Sequence, residues 1–218
     1  MKIIILNGSP RKKGLTAGIL RIIEQRLTER GADVKYYDLA DIDMKPCAGC
    51  CSCYRTGRCI YKDDAERISA EIADCSGIVI GSPTYASNVS GITKTFIDRG
   101  HFVIEQLLYG KYAISVATGE NYGSRTTSRV LNDLMLYSGA LTSSKIVINA
   151  PFGADVPKPG SIIRKADRFY DDIDKKRHYP LQSMIHRIIF SAGIAPFVRK
   201  KGKDYKGVTD RWNKLGLK

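Results

Sequence analysis

The sequence predicts an α/β fold: a doubly wound, five-stranded parallel sheet with helices on both faces, followed by a C-terminal helical extension. Short β-branched runs alternate with segments of helical period from the first residue to about position 150. Several of these runs are continuously apolar, as is typical of strands that are covered on both faces. With 218 residues, the chain is long enough for one substantial core with an appended extension.

The strands and helices of this βα pattern can be placed in order. The first helix presents an apolar face at residues 19–27, and the second follows a capping box at residues 63–66. Asn88 and Ser124 are the expected N-caps of the third and fourth helices. The predicted strands are residues 3–6, 34–37, 77–80, 112–117 and 145–149.

A segment rich in Pro and Gly after residue 150 divides the chain into two predicted regions. Residues 1–150 form the sheet domain, and residues 151–218 form a basic helical extension. Within the extension, residues 161–177 and 181–191 have helical patterns. We therefore expect two helices to follow the fifth strand.

Positive charge is concentrated in the extension. The chain carries 35 basic and 22 acidic residues, and residues 151–218 hold 16 of the basic and 7 of the acidic ones. Beyond Pro196 the sequence predicts an irregular basic arm whose end docks through Trp212. A basic surface of this kind is either simply solvated or binds an acidic protein, an anionic membrane surface or a phosphorylated cofactor. Sparse aromatic residues and the lack of a groove-reading motif argue against nucleic acid.

The chain has no stretch that predicts membrane insertion or export. Its longest mostly apolar stretch, residues 188–198, is far shorter than a membrane span. The apolar run at the N-terminus is too short for the core of a signal peptide. We expect a cytoplasmic protein with reduced thiols, in which clustered cysteines serve metal binding or redox chemistry.

Five of the six cysteines lie between residues 47 and 59. The spacing Cys-x2-Cys-x2-Cys-x5-Cys allows four thiolates to surround one iron-sulfur cluster, with Cys51 as a spectator. Zinc sites usually combine two well-separated cysteine pairs, so the compact spacing favours a cluster. A zinc site, a redox pair and unligated thiols remain the alternatives. The predicted ligands are Cys47, Cys50, Cys53 and Cys59.

The turn after the first strand has the features of an anion site. It combines glycines, hydroxyls and cationic side chains at the start of a helix, where backbone N–H groups and the helix dipole favour a phosphate. Ser9 and Thr16 can donate hydroxyl hydrogen bonds, and Arg11 can pair bidentately. The turn matches neither the dinucleotide fingerprint nor the P-loop. An ordinary polar turn is the alternative.

Two further loops should reach the same edge of the sheet, because they follow the third and fourth parallel strands. In the first, Tyr85 could pack near a flat ring and Asn88 could bond a pyrimidine edge; alternatively, the loop is a packed turn with a simple N-cap. The second loop offers glycines for close backbone approach. The candidate residues in these loops are Pro83, Thr84, Tyr85, Asn88, Thr118, Gly119, Glu120 and Gly123.

The Gly-Ser-Pro-Arg-Lys loop, the Gly-Ser-Pro-Thr-Tyr loop and the cysteine loop between them resemble the flavodoxin-like NADPH-dependent FMN reductases, and more narrowly the iron-sulfur flavoproteins. The resemblance covers about residues 1–150 and implies the strand order 2-1-3-4-5. It also implies a [4Fe-4S] cluster on the four cysteines and FMN in the three loops. The FMN phosphate would lie on Ser9, Arg11, Lys13 and Thr16, and the ring against Pro83, Thr84, Tyr85, Asn88 and residues 118–124.

Two residues depart from the usual pattern of this family. Leu15 replaces a small polar residue, which hardly affects a backbone contact. Glu120 adds negative charge to a loop that is often all glycine, and this charge would disfavour an anionic reduced flavin.

The resemblance implies a flavin-dependent oxidoreductase that passes electrons between NAD(P)H or a ferredoxin, FMN, the cluster and an acceptor. No side chain has to transfer a proton, so we assign no catalytic residue. None of the three histidines lies in a recognisable motif. The alternatives are a cluster-free NAD(P)H:FMN or quinone reductase and a non-enzymatic electron carrier or redox sensor. An apolar helical face at residues 181–189 favours a homodimer or tetramer; packing of this helix over the sheet edge within the chain is the alternative.

Overall fold

The computed structural model describes residues 1–217. Its centre is a parallel sheet in the order β2-β1-β3-β5-β6, with the two-residue β4 antiparallel to β3. Without β4 this is the predicted order 2-1-3-4-5, so the fold class is confirmed. The strands are β1 (Lys2–Asn7), β2 (Asp33–Asp38), β3 (Gly77–Tyr85), β4 (Asn88–Val89), β5 (Tyr112–Gly119) and β6 (Leu141–Asn149).

Helices cover both faces of the sheet. One face packs on α1 and α6, and the other packs on α3, α4 and α5, which gives two hydrophobic clusters with the sheet between them. The helices are α1 (Leu15–Glu29), α2 (Ser52–Thr56), α3 (Asp64–Ala73), α4 (Gly91–Arg99), α5 (Ser124–Tyr137), α6 (Gly160–Asp174), α7 (Pro180–Ile189), α8 (Ala195–Lys201) and α9 (Lys206–Lys214).

The parallel register aligns the ends of the strands at one edge. Asn7 pairs with Gly81, Pro83 with Thr118, and Gly119 with Asn149. The inner strands β1, β3 and β5 are buried because their side chains face a helix layer on each side. The loops that follow β1, β3 and β5 therefore emerge together, as the sequence predicts.

The first helix of the predicted extension belongs to the core. Phe169 of α6 is fully buried with residues of β1, β3 and α1. A Cβ atom at Gly77 would lie 2.6 Å from the Phe169 ring, so the glycine lets α6 approach the sheet closely. This helix is therefore part of the layer that covers one face of the sheet.

The N-caps of two helices differ from the prediction. Ser90, not Asn88, caps α4, and its hydroxyl oxygen accepts a hydrogen bond from the Thr93 amide. Gly123 takes the capping position of α5 in the left-handed region, and Ser124 is the first helical residue. In both cases a hairpin or glycine turn before the helix moves its start.

The prediction of an irregular arm beyond Pro196 is wrong. The chain continues through a π-helical turn, Phe190–Ile194, into α8, a 3₁₀ turn, Gly202–Tyr205, and α9. Trp212 is buried against Phe190, with ring centroids 4.8 Å apart, and this packing offsets the low apolar content of α9. The expectation that the end docks through this residue is therefore confirmed within the chain itself.

By length and composition alone, the run of helical turns Pro180–Lys214 could cross a membrane, with a mean hydropathy of 1.2 over its most apolar window. Phe190, Val198 and Trp212 within it are buried against one another. Only 22% of that window is buried inside the protein, and a single run of this length and composition is weak support for a membrane span.

Replacement of Phe169 by Ala should lower the free energy of unfolding by about 3–5 kcal/mol, because it opens a cavity between α6 and the sheet. Urea unfolding measures this change. Phe152→Ala is the control, since that ring is 73% exposed and should cost less than about 1 kcal/mol. Equal losses in the two variants would contradict the core position of α6.

Candidate functional site

A cavity of about 960 Å³ opens at the carboxyl edge of the sheet. Four segments line it: residues 11–15, 83–85, 118–120 and 150–156. Its volume lies at the upper end of the range for small-molecule and cofactor sites. The sequence predicted the first three segments. It missed the fourth, which it treated only as a connector.

The start of α1 faces this cavity with its backbone donors uncapped by a side chain. Gly14 is the N-cap and contributes no side-chain hydrogen bond, and the first turn contains no acidic residue. Arg11, Lys13 and Leu15 line the cavity beside it. Free N–H groups, the helix dipole and two cations together favour the binding of an anion such as a phosphate.

The two hydroxyls that were predicted to bind the phosphate belong to residues that do not line the cavity. Ser9 is buried, and its hydroxyl donates to the Arg11 carbonyl at 3.3 Å and accepts from the Arg11 amide at 3.2 Å. The Thr16 hydroxyl pairs with that of Thr118 at 2.7 Å. These contacts shape the loop, and a phosphate contact would require the hydroxyls to rotate.

A tight hairpin between β3 and β4 forms the second wall. Ala86 and Ser87, its central residues, both have positive φ values, of 49° and 59°, as in a type I′ turn that usually contains Asn or Gly. Asn88 is exposed, its side-chain oxygen accepts from the Val89 amide, and it does not line the cavity. Pro83, Thr84 and Tyr85 do line it.

The third wall follows β5. Thr118, Gly119 and Glu120 line the cavity. A Cβ atom at Gly119 would lie 2.3 Å from the Ser124 hydroxyl, so the glycine is needed where β5 meets the start of α5. Gly123 packs against Ser87 of the hairpin rather than lining the cavity.

The segment that the sequence missed covers the side of the cavity where Arg11 lies. The Phe152 ring lies 4.3 Å from the Arg11 guanidinium, a cation–π contact. Val156 closes on Gly18, where an added Cβ atom would lie 2.4 Å from its methyl group. A position directly after the fifth parallel strand is the sequence signal that identifies this segment.

The cysteine loop lies near the C-terminal end of α4, away from this cavity. Cys47, Cys50 and Cys51 are exposed, whereas Cys53 on α2 and Cys59 are half-buried. None is in a disulfide within the described chain. A second pocket, of about 280 Å³, is lined by Cys47, Cys51 and Cys53 together with residues 97–105 and others.

His101 is a residue of this site that the sequence did not identify. Its ring nitrogens contact Glu105 at 2.5 Å and Glu66 at 2.8 Å. Burial alone would lower the pKa of His101, but hydrogen bonds to Cys53 and to the two carboxylates raise it. Cys53, His101 and Glu105 offer ligand atoms within 4.8 Å of one another, so a single zinc ion remains an alternative occupant.

A buried ion pair holds the two ends of the cysteine loop. The Arg99 guanidinium donates two hydrogen bonds of 2.8 Å to Asp63, and it also donates to the Lys45 carbonyl at 2.5 Å. Burial opposes ionisation of Asp63, but the bonds from Arg99 hold its pKa below the ordinary value. Arg99 also interacts with Cys59. The pair thus ties both ends of the cysteine segment to α4.

Both sites offer donors of the type that the implied groups need, but of the four predicted cluster ligands only Cys47 and Cys53 line the second pocket. In the cavity, the Thr84 hydroxyl is buried and has no hydrogen-bond partner in the part of the chain that the structure describes, as expected for a residue that awaits a ligand. In the cysteine loop, the Arg99 and His101 side chains lie beside Cys59 and Cys53.

Comparison with known proteins decides the family. A model described as NADPH-dependent FMN reductase matches residues 1–155. An iron-sulfur flavoprotein of Clostridioides difficile (strain 630) is 35% identical over 224 residues, which cover the whole of both chains. The chain belongs to the NADPH-dependent FMN reductase family, among its iron-sulfur flavoproteins. It is therefore a flavin-dependent oxidoreductase.

Solved structures support the fold of this family member. A flavone reductase aligns with a TM-score of 0.64 at 16% identity, covering 82% of this chain and 65% of that one. An archaeal flavodoxin aligns with a TM-score of 0.54 at 14% identity, covering 82% of this chain and all of the other. At these identities the likeness establishes the flavodoxin-like fold alone.

Replacement of Asp63 by Asn should reduce stability at pH 7 by about 3–5 kcal/mol, because it leaves Arg99 buried without its counter-charge, while Asn can still cap α3. The wild-type contribution is present above about pH 4, the unfolded pKa, and is lost as the pH falls through the lower folded pKa. The variant should therefore lose less stability on acidification. Urea unfolding from pH 7 to pH 3 measures both effects.

The matched control for this pH series is Asp98→Asn, which removes an exposed pair with Lys94 on the same α4 helix. A surface pair contributes at most about 1 kcal/mol. An acid profile of Asp63→Asn that is as steep as that of the wild type would contradict the role of the buried pair.

Proposed function

We propose that this family member is an electron-transfer enzyme that binds FMN in the cavity at the sheet edge and a [4Fe-4S] cluster on Cys47, Cys50, Cys53 and Cys59. Electrons would pass between NAD(P)H or a ferredoxin, the two groups and an acceptor. When bound, FMN accepts two electrons as hydride and releases them singly, and the cluster carries one at a time.

One observation carries this proposal: two separate sites in one chain have the donors that the two groups need. The cavity combines an uncapped helix start with Arg11 and Lys13, whereas the cysteine loop combines thiols with buried cations. The hairpin that lines the cavity precedes α4, and residues 97–99 at the other end of α4 line the cysteine pocket. This nine-residue helix spans about 13 Å.

The side chains of the cavity have different tasks in this proposal. Arg11 and Lys13 balance the phosphate charge, and the Thr84 hydroxyl bonds the cofactor. Glu120 adds negative charge at the rim, which disfavours the anionic form of a reduced ring. Phe152 and the segment around it limit the access of water to the phosphate side.

The exposed surfaces of α7, α8 and α9 support the partners that we propose. Leu181, Met184 and Ile188 on α7 expose 52–63% of their surface, and their i, i+3, i+7 spacing makes one apolar stripe on which the predicted homodimer or tetramer would form. The basic α8 and α9 suit an acidic redox protein. We further infer a cytoplasmic location, where six free thiols stay reduced.

Rapid bleaching of the flavin absorbance by NADPH or NADH under argon tests turnover by a nicotinamide. Bleaching supports the reductase. If a reduced ferredoxin bleaches the flavin and neither nicotinamide does, the result would favour an electron carrier instead.

Replacement of Arg11 by Met should weaken FMN binding to flavin-free protein by roughly tenfold or more, because a charge-assisted hydrogen bond to the phosphate is lost. Riboflavin, which has no phosphate, should bind both proteins equally. Calorimetric titration with the two ligands measures this difference. Arg129→Met on the exposed side of α5 is the control, and an equal loss of FMN and riboflavin affinity in Arg11→Met would contradict the phosphate assignment.

Replacement of Cys53 by Ser should remove the cluster, whereas Cys51→Ser, its neighbour in the same pocket, should keep it. Iron, acid-labile sulfide and flavin per chain, measured after anaerobic purification, test this pair. Flavin should stay at the wild-type level in both variants. Equal iron in the two variants would show that the ligand assignment is wrong.

A further inference from the structure

We propose that the C-terminal arm, residues 190–217, is a clamp that holds the Cys53 end of the cysteine loop in its binding conformation. The proposal rests on the cluster assignment above but concerns a different part of the chain. Three independent contacts join the arm to the cysteine loop and its supports: a close backbone approach, an aromatic stack and a chain of charged groups.

The backbone contact is between α9 and the end of α2, the short helix that carries Cys53. A Cβ atom at Gly207 would lie 2.1 Å from the Gly57 nitrogen and 2.8 Å from its Cα atom. Gly57 ends α2 with a φ of 75°, in the left-handed region that favours glycine. Only a glycine at position 207 allows α9 to approach this turn so closely.

The aromatic contact lies beside the thiols. Tyr54, next to Cys53 in sequence, stacks on Tyr205 with ring centroids 4.9 Å apart. Phe197 meets the Tyr205 ring edge-on at 5.8 Å. Aromatic pairs of this geometry stabilise a fold by more than their buried area alone accounts for. The arm therefore restrains Tyr54, the residue next to a predicted ligand.

The third contact is a chain of charged groups that leads from α9 towards Cys53. Arg211 of α9 contacts one oxygen of Glu105 at 3.3 Å, and the other oxygen contacts His101 at 2.5 Å. The ligand atoms of His101 and Cys53 lie within 4.8 Å of each other. Glu105 is only 1% exposed, so two cations share one buried carboxylate. Arg211 therefore acts through Glu105 and His101 as a positioning residue for Cys53.

The arm is itself anchored on the same support. The Trp212 indole N–H donates to the Ile104 carbonyl at 3.0 Å, one residue before Glu105. Trp212 is the only tryptophan of the chain, so its fluorescence reports directly whether the arm is docked. Cys75 is buried in the core and reports global unfolding when it reacts.

A matched glycine pair tests the clamp. Gly207→Ala drives a methyl group into Gly57, whereas Gly193→Ala, in the same arm, meets open space. Iodoacetamide labelling of metal-free protein, read for each cysteine by mass spectrometry, measures how well the loop is held. We expect Gly207→Ala to label Cys53 about tenfold faster and to shift the Trp212 emission to the red. Gly193→Ala should match the wild type, and Cys75 should stay protected in both.

Tyr205→Leu provides a second variant that adds no atom to the packed backbone, and it should also speed the labelling of Cys53. Arg211→Leu should do the same through Glu105, while Arg211→Lys should restore part of the protection. In protein loaded with iron, each variant that labels Cys53 faster should also have a cluster with a shorter half-life in air. A red-shifted Trp212 emission with unchanged Cys53 labelling would overturn the clamp. Unchanged emission in Gly207→Ala would overturn it too.

These measurements separate the clamp from the proposed function. If the loop bound no cluster, iron would be absent from every variant, yet the labelling of metal-free Cys53 would still support or overturn the clamp.

Discussion

The parallel pairing of β3 with β1 and β5 is the constraint on which the rest of the structure depends. It aligns Asn7 with Gly81 and Pro83 with Thr118, so that loops far apart in sequence leave the sheet at one edge. A parallel strand that is covered on both faces must be apolar on both, and β1, β3 and β5 have such nearly continuous apolar runs. The cavity is thus a product of the sheet rather than of any one loop.

The cysteine loop depends on a different kind of interaction. It has few buried apolar side chains of its own, and buried charges hold it instead: Arg99 with Asp63 at its ends, and His101 with Glu105 at Cys53. Buried pairs of this kind contribute little net stability but strongly penalise any rearrangement that separates them. This property suits the fixed arrangement of thiols that the proposed cluster would need.

Much of the fold could be predicted because parallel strands and amphipathic helices leave periodic patterns. The three cavity loops could be predicted from their places after strands. His101 could not, because it lies 42 residues after Cys59 and is brought to Cys53 only by the end of α4. The helices beyond Pro196 were missed because α9 is mostly polar and forms by packing Trp212 against a distant segment, and long-range packing can override weak local propensity.

The central claim is that one chain holds a flavin at the sheet edge and an iron-sulfur cluster in the cysteine loop. The most direct measurement is the amount of flavin, iron and acid-labile sulfide per chain in protein purified under strict anaerobiosis. The predicted result is one FMN with about four irons and four sulfides, as for a Cys-ligated [4Fe-4S] cluster. Flavin without iron, or zinc in place of iron, would contradict the claim and leave a plain FMN-dependent reductase.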